Sequence, residues 1–297
     1  MPFMVFMVNF NNIQVSCTMP LPESFQFSQS SLQDFETCAR RFKLRYVQRL
    51  NWPGIESEPI REVERLAQLG ADFHRLVHQH LVGLDEALLT KALVAAEPEL
   101  KSWWDNYLAH RPAALSEAQL YPELTLSIPA GGYRLLARFD LLAIQPDGTF
   151  LIVDWKTTRK KPARDILARR IQTRVYPYVL ALAGAAFNQG RPIDPAAIKM
   201  MYWYSQAPDQ PEEFDYSPAL FQRDEQFLAG LIAQVKHAAE QDDFPMVESL
   251  EPCAHCVYRS YCARGDKAGP LVDLMEEPQE IIDVSAFDWD QIAEIQY

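Results

Sequence analysis

The chain has 297 residues, of which 48% are hydrophobic, so it can build a sizeable core without disulfide bonds. Its net charge of -12 argues against a polyanionic partner, because proteins that bind nucleic acid usually carry a basic surface. Eight acidic residues and no basic one lie between Asp273 and Glu294, and this tail carries -8 of the total. The rest of the chain is only mildly acidic, which weakens that objection. The apolar run Met1–Phe10 is shorter than the roughly 20 residues that span a bilayer, so we expect no membrane partner.

Helical periodicity dominates the first third of the chain. Ser30 and Gln33 form a capping-box pattern, and the apolar stripe that follows predicts a helix from about Leu32 to Leu50. Prolines and a glycine predict a loop over residues 52–59. Periodicity then resumes over Ile60–Val82, and shorter helices are predicted within Leu84–His110.

The pattern changes to β-rich alternation at Gln119. We predict strands near residues 119–128, 133–144, 150–156 and 198–204, with helices from about 165 to 187 and from about 218 to 241. This order of elements indicates one mixed α/β domain.

Basic side chains concentrate in two stretches, residues 40–49 and 156–174. Such a stretch either contacts a polyanion or forms the solvated face of a helix. For the first stretch the sequence leaves both interpretations open.

Two apolar strands flank the turn Gln145–Thr149, whose five residues include a glycine, so we predict a β-hairpin. If Ile144 pairs with Phe150, the alternation of strand side chains places Asp140 opposite Asp154 on one face. Adjacent carboxylates repel unless a cation lies between them. Oxygen ligands at this spacing suit Mg²⁺ or Mn²⁺.

The same register places Arg138 opposite Lys156. A bound cation would polarise a phosphate and deprotonate a water, while the lysine stabilises the developing charge. The alternative is an exposed hairpin with ordinary surface charges. The continuously apolar run Phe150–Val153 argues against it, because such a run is typical of a strand covered on both faces.

Five features follow one another along the chain: the serine-rich segment Phe27–Leu32 before Cys38, the Gly70–His74 spacing, Asp140, the triplet Asp154-Trp155-Lys156, and the Gln172–Tyr176 spacing. In this order they resemble the PD-(D/E)XK nuclease superfamily, specifically its RecB-like branch with the CRISPR-associated exonucleases. The resemblance covers about Ser28 to Cys262. It implies a restriction-endonuclease-like mixed sheet flanked by helices, with a helical N-terminal part and a C-terminal iron-sulfur lobe. The expected divisions are an N-terminal extension (1–27), a nuclease domain (28–265) and an acidic tail (266–297).

The resemblance also implies a metal site and its ligands. His74, Asp140 and Asp154 would bind Mg²⁺ or Mn²⁺, with the backbone carbonyl of Trp155 as a further ligand, and Lys156 would assist. From spacing alone, His74 would more often be an ordinary surface or core histidine than a ligand.

Further residues are expected around this site. Gln172 and Tyr176 lie one helical turn apart and would contact DNA and fix the lysine, although an amphipathic helix face has the same spacing. Pro177 is expected to kink or interrupt their helix. Glu123, at the start of the first strand, could add a carboxylate, but we expect a structural role for it.

Five cysteines in a chain of this size indicate a reducing, cytoplasmic compartment, where clustered cysteines usually hold metal. Three lie close together, and Cys38 precedes Cys253 by 215 residues (253 − 38). By spacing, a zinc site completed by His255 or Cys38 remains open. The resemblance implies instead a [4Fe-4S] cluster that joins the first helix to the C-terminal lobe. Its expected ligands are Cys38, Cys253, Cys256 and Cys262, which leaves Cys17 over.

The resemblance implies a DNA exonuclease that acts on single-stranded or frayed ends in DNA repair, recombination or CRISPR-type DNA processing. The sequence has no Walker A motif, so a helicase would be a separate partner. The alternatives are a non-catalytic DNA-binding scaffold and a zinc-containing module that acts on RNA or nucleotides.

Overall fold

The computed structural model describes residues 21–50 and 58–265. Most of the expected N-terminal extension, and the acidic tail, lie outside these ranges. Residues Gln26–Ser28 nevertheless form strand β1 of the central sheet, with Phe27 fully buried, so the described core begins ahead of the expected boundary. Within the described ranges, no helix is both long enough and apolar enough to cross a membrane.

Eight α-helices and six strands are described. The helices are α1 (Gln29–Thr37), α2 (Ala39–Phe42), α3 (Glu58–Leu81), α4 (Glu86–Ala92), α5 (Pro98–His110), α6 (Arg164–Arg169), α7 (Ile171–Ala183) and α8 (Pro218–Gln241). The strands are β1, β2 (Gln119–Ala130), β3 (Tyr133–Ile144), β4 (Phe150–Lys156), β5 (Ile198–Tyr204) and β6 (Glu212–Asp215). The short strands β1 and β6 are absent from the sequence prediction.

The predicted first helix, Leu32–Leu50, is wrong as a single element. It is divided at Cys38, whose backbone is extended, and a π-helical turn (Lys43–Val47) follows α2. The predicted cap at Ser30 is also misplaced, because Ser28 caps α1. Its Oγ accepts from the Ser31 N–H, and the Ser31 Oγ accepts from the Ser28 N–H.

The six strands form one mixed sheet in the order β1-β3-β4-β5-β6, with β2 also paired to β3. β2 and β3, and β3 and β4, are antiparallel, whereas β4 and β5 are parallel. The predicted pairing of Ile144 with Phe150 is confirmed. These features confirm the expected mixed α/β architecture.

Two apolar cores cover the faces of the sheet. The first is built largely from α7 and α8, and the second largely from α3 and α5. Along β4, Ile152 belongs to the first core and Val153 to the second, so this strand is covered on both faces, as its continuous apolar run predicts.

β3 forks at Asp140. Its pairing with β4 ends at Leu141 and Val153, and only the earlier part of β3 pairs with β1. The alternation of β3 also changes there, because Phe139 faces the first core and Leu141 the second. The predicted register of Asp140 opposite Asp154 and Arg138 opposite Lys156 is therefore wrong, since regular pairing stops before these residues. Arg138 contacts Glu123 of β2 instead.

Candidate active site

Helix α3 brings His74 to the fork. The preceding residue, Phe73, is fully buried in the second core and stacks on Trp203 with ring centroids 6.2 Å apart. Gly70 allows a close approach to the end of β4, since a Cβ there would lie 3.1 Å from the Thr157 Oγ1. The Gly70–His74 spacing thus lets the helix rest against the chain beside the motif lysine.

Asp140 lies at the fork and is held by two contacts. Its Oδ2 accepts a hydrogen bond from the Trp155 backbone N–H at 2.8 Å, and its Oδ1 lies 3.4 Å from the His74 Nδ1. Burial is the largest influence on the pKa of this carboxyl and acts to raise it. His74, Lys156 and the Trp155 N–H together outweigh burial and lower the pKa. Asp140 is therefore an anion at neutral pH.

Asp154 is buried behind this point, on the α7 side. Its Oδ1 accepts a hydrogen bond from the Gln172 Nε2 at 2.5 Å, and the Lys156 Nζ lies 2.7 Å from its Oδ2. Two motif residues and the glutamine therefore form one continuous polar group.

Tyr176 lies one turn beyond Gln172, and both residues are only 6% exposed. Burial raises the pKa of Tyr176 well above its usual value, and the charges of Asp154 and Asp140 raise it further. The pair therefore lines the back of the site. The expected interruption at Pro177 is wrong, because α7 continues to Ala183.

Glu123, whose expected role is structural, lies close to His74 and Asp140. One ligand atom each from His74, Glu123 and Asp140 can be chosen so that all three lie within 4.8 Å of one another. Asp154 belongs to no such group among the described residues. The structure thus brings together His74 and Asp140 of the expected ligand set and adds Glu123.

The sequence contains a signal for Glu123 in the turn between β2 and β3. Gly131 and Gly132 both have positive φ, and two consecutive glycines between apolar strands are typical of a two-residue hairpin. Counting back from this turn, with Ala130 paired to Tyr133, places Glu123 beside Asp140.

The chemistry of these donors fits a divalent cation. Around a cation the size of Mg²⁺, with ligands at about 2.1 Å, adjacent ligand atoms lie about 3.0 Å apart and opposite ones about 4.2 Å apart. The His74–Asp140 separation of 3.4 Å lies between these two values. Small side-chain movements would therefore suffice for coordination.

The four expected cluster cysteines, Cys38, Cys253, Cys256 and Cys262, line one cavity together with Arg41 and Tyr258. None forms a disulfide. Tetrahedral zinc with Zn–S bonds of about 2.3 Å holds its sulfurs about 3.8 Å apart. No three of the four described sulfurs lie within 4.8 Å of one another, so the cysteines share a cavity without forming a tight ligand cluster.

The fold and the site define an α/β protein with a histidine-carboxylate-lysine cluster at the fork of a mixed sheet. Residues 26–263 match the family model of the PD-(D/E)XK nuclease superfamily. The chain belongs to this superfamily of hydrolytic nucleases, whose members use divalent metals such as Mg²⁺ or Mn²⁺.

Two solved structures resemble the chain more distantly. One, from Eubacterium rectale and described as a "Putative exonuclease", is 12% identical with a TM-score of 0.47, and the match covers 95% of this chain and 99% of that one. The other, SSO0001, is 12% identical with a TM-score of 0.38, over 80% and 85% of the two chains. No curated protein is significantly similar in sequence.

Proposed function

We propose that this protein is a metal-dependent DNA nuclease that degrades single-stranded or frayed DNA from an end. The observation that carries the proposal is the joint placement of the motif residues. Asp140 is anchored on the Trp155 N–H, and Lys156 lies 2.7 Å from Asp154, so both motif strands meet at one point.

His74, Asp140 and Asp154 would hold the cation, with the Trp155 carbonyl as a further ligand. When bound, the metal polarises the phosphate and lowers the pKa of a water. Lys156 would stabilise the charge that develops on the phosphoryl oxygens. Gln172 would keep the Asp154 carboxylate in a fixed orientation from behind.

The exposure of the site supports the preference for single-stranded DNA. The His74 side chain is 23% exposed, that of Lys156 is 12% exposed, and that of Asp154 is 4% exposed. The site therefore deepens from His74 towards Asp154. A flexible single strand enters such a recess more readily than a stiff duplex. DNA repair, recombination or CRISPR-type processing, with a separate helicase, remains a prediction of the sequence.

The test is cleavage of linear and circular DNA, single-stranded and duplex, labelled at either end, with Mg²⁺ or Mn²⁺. We expect cleavage of linear single strands that requires metal and falls by about 100-fold or more in Lys156→Ala. Lys199→Ala is the matched control, because Lys199 lies on the neighbouring strand β5 and pairs with Asp215 at the surface. Cleavage of circular DNA would contradict the requirement for an end.

A folded protein that binds DNA but cuts none of these substrates would instead indicate the non-catalytic scaffold. Equal cleavage by wild type and Lys156→Ala would contradict the assigned site. Degradation of RNA in preference to DNA would contradict the proposed substrate.

We also propose that the four cysteines hold a [4Fe-4S] cluster. Their common cavity supports this, and so does the chemistry of its lining, since Arg41 and Arg264 would offset the negative charge of thiolates. Burial raises the pKa of Cys256 and of Cys262, so both thiols are protonated at neutral pH until a metal displaces the proton. Anaerobic purification should yield iron and sulfide with visible absorption, whereas stoichiometric zinc without iron would contradict the proposal.

A further inference from the structure

We propose that Glu123 is a further ligand of the catalytic cation and that Arg138 is its positioning residue. This inference rests on the proposed nuclease function and deepens it. Neither residue belongs to the five features that carry the resemblance, and the sequence alone favours a structural role for Glu123.

The first observation is the backbone of β2. Glu123 lies within a twelve-residue strand but has a φ of 53°. This value lies in the left-handed region, which residues other than glycine usually avoid. Such a conformation costs of order 1 kcal/mol or more and persists only when its surroundings impose it.

The left-handed residue accompanies a change of face in β2. Leu124 and Leu126 pack against the first core, whereas Leu120 packs against the second. β3 changes face at Asp140, beside Glu123. Both strands thus depart from regular alternation at one level of the hairpin. This departure accompanies the approach of the two carboxylates to His74 of α3.

The second observation is that Glu123 is held through one carboxylate oxygen. The Oε2 of Glu123 accepts two hydrogen bonds from Arg138, from Nε at 2.9 Å and from Nη2 at 2.7 Å. None of the described residues donates a hydrogen bond to its Oε1. Asp140 has a partner on each oxygen, with Oδ2 on the Trp155 N–H and Oδ1 towards His74. A hydrogen bond that fixes one carboxylate oxygen also orients the other. At metal sites, hydrogen bonds to the ligand side chains orient the ligand atoms in the same way.

The third observation concerns charge. The guanidinium of Arg138 contacts Glu123, and Arg138 lies two residues before Asp140 on β3. Its positive charge therefore acts on both carboxylates. It reduces their mutual repulsion and allows them to share a site before a cation arrives.

The test is Mn²⁺ binding without DNA, measured by calorimetry and by the loss of the free-ion electron paramagnetic resonance signal. We expect Glu123→Gln to weaken binding by about 10-fold or more. Glu212→Gln is the matched control, because Glu212 also lies on a strand and accepts from an arginine, Arg164, but at the opposite edge of the sheet. It should bind Mn²⁺ like the wild type.

The role of Arg138 is tested with Arg138→Lys, which keeps the charge but loses the two-donor fork. We expect weaker Mn²⁺ binding in the wild-type background and no further loss in Glu123→Gln. The control is Arg134→Lys, because Arg134 lies four residues earlier on β3 and contacts Ser127 rather than the site. Equal losses of affinity in both backgrounds would contradict a positioning role.

The outcomes separate the two proposals. Wild-type Mn²⁺ affinity in Glu123→Gln, with binding abolished in Asp140→Asn, would overturn the role of Glu123 and leave the nuclease site intact. Unchanged affinity in Asp140→Asn would overturn the metal centre itself. If Glu123→Gln does not fold, Glu123→Asn replaces it, because asparagine tolerates positive φ and lacks the charge. Glu123→Asn must also weaken binding for the role of Glu123 to stand.

Discussion

A buried amide holds the more deeply buried of the two motif aspartates. Gln172 donates to Asp154 at 2.5 Å, and both residues are shielded from water. Removing one partner of such a hydrogen bond leaves the other polar group buried and unsatisfied.

We therefore expect Gln172→Ala to lower the free energy of unfolding by about 1–3 kcal/mol. Activity should fall as well, because the Asp154 carboxylate loses its fixed orientation. Urea denaturation and single-turnover cleavage measure the two effects. Gln226→Ala on the exposed face of α8 is the control and should change neither. A stable Gln172→Ala protein with wild-type activity would show that Lys156 alone orients the carboxylate.

At the scale of single residues, sequence motifs predict which residues form the site better than they predict the surroundings of each one. Asp140, Asp154 and Lys156 occur at the expected elements, but their relative placement differs because β3 and β4 separate at the fork. Alternation assumes regular strands, and it fails where a residue such as Glu123 adopts a left-handed backbone. A single sequence gives no direct sign of that conformation.

Two helical glycines differ in their surroundings, because one lies at a close contact and the other does not. Gly70 of α3 is buried against Thr157, whereas Gly230 of α8 is exposed and a Cβ there would meet nothing within 4 Å. Glycine within a helix costs about 1 kcal/mol relative to alanine.

We expect Gly230→Ala to raise the free energy of unfolding by about 1 kcal/mol and to leave activity unchanged. Gly70→Ala should gain less stability, because its Cβ would lie 3.1 Å from the Thr157 Oγ1 and push α3 away from β4. Displacement of His74 should lower cleavage and Mn²⁺ affinity in Gly70→Ala. Chemical denaturation with metal titration checks both variants, and equal behaviour would contradict a close packing role for Gly70.

The sequence predicts the limits of long helices and strands, but it does not predict short or interrupted ones. β3, β4, β5 and α8 have the predicted limits, because each has a clear apolar pattern bounded by turn residues. β1 and β6 have three and four residues, too few to show periodicity. The break at Cys38 falls inside an uninterrupted helical pattern, and tertiary contacts of that segment decide it.

Across the whole molecule, much of the first basic stretch is paired internally. Arg41 and Arg45 both contact Asp34, and Lys43 lies 2.7 Å from Asp242. These pairs favour a structural role over contact with a polyanion. Sequence distance hides such pairs, since Lys43 and Asp242 are almost 200 residues apart.

The same segment joins the two ends of the described chain through ring stacking and hydrogen bonds. The ring of Phe42 stacks on that of Phe244 at 6.0 Å, and the Tyr258 hydroxyl donates to the Leu50 carbonyl at 2.9 Å. The Arg40 N–H also donates to the Pro245 carbonyl. A cluster on Cys38 would add a covalent closure to contacts that already exist.

We therefore expect Cys38→Ser to lose the cluster and lower the melting temperature without unfolding the nuclease core. The loss should stay below the roughly 5 kcal/mol that the chain-entropy model assigns to closing a loop of this length, because packing already closes it. Calorimetry, iron analysis and cleavage on anaerobically purified protein check the three parts, with Cys17→Ser as the control of unchanged behaviour. A Cys38→Ser protein that cannot fold would show that the metal, rather than the contacts of Phe42 and Tyr258, holds the ends together. Unchanged iron content would instead exclude Cys38 as a ligand.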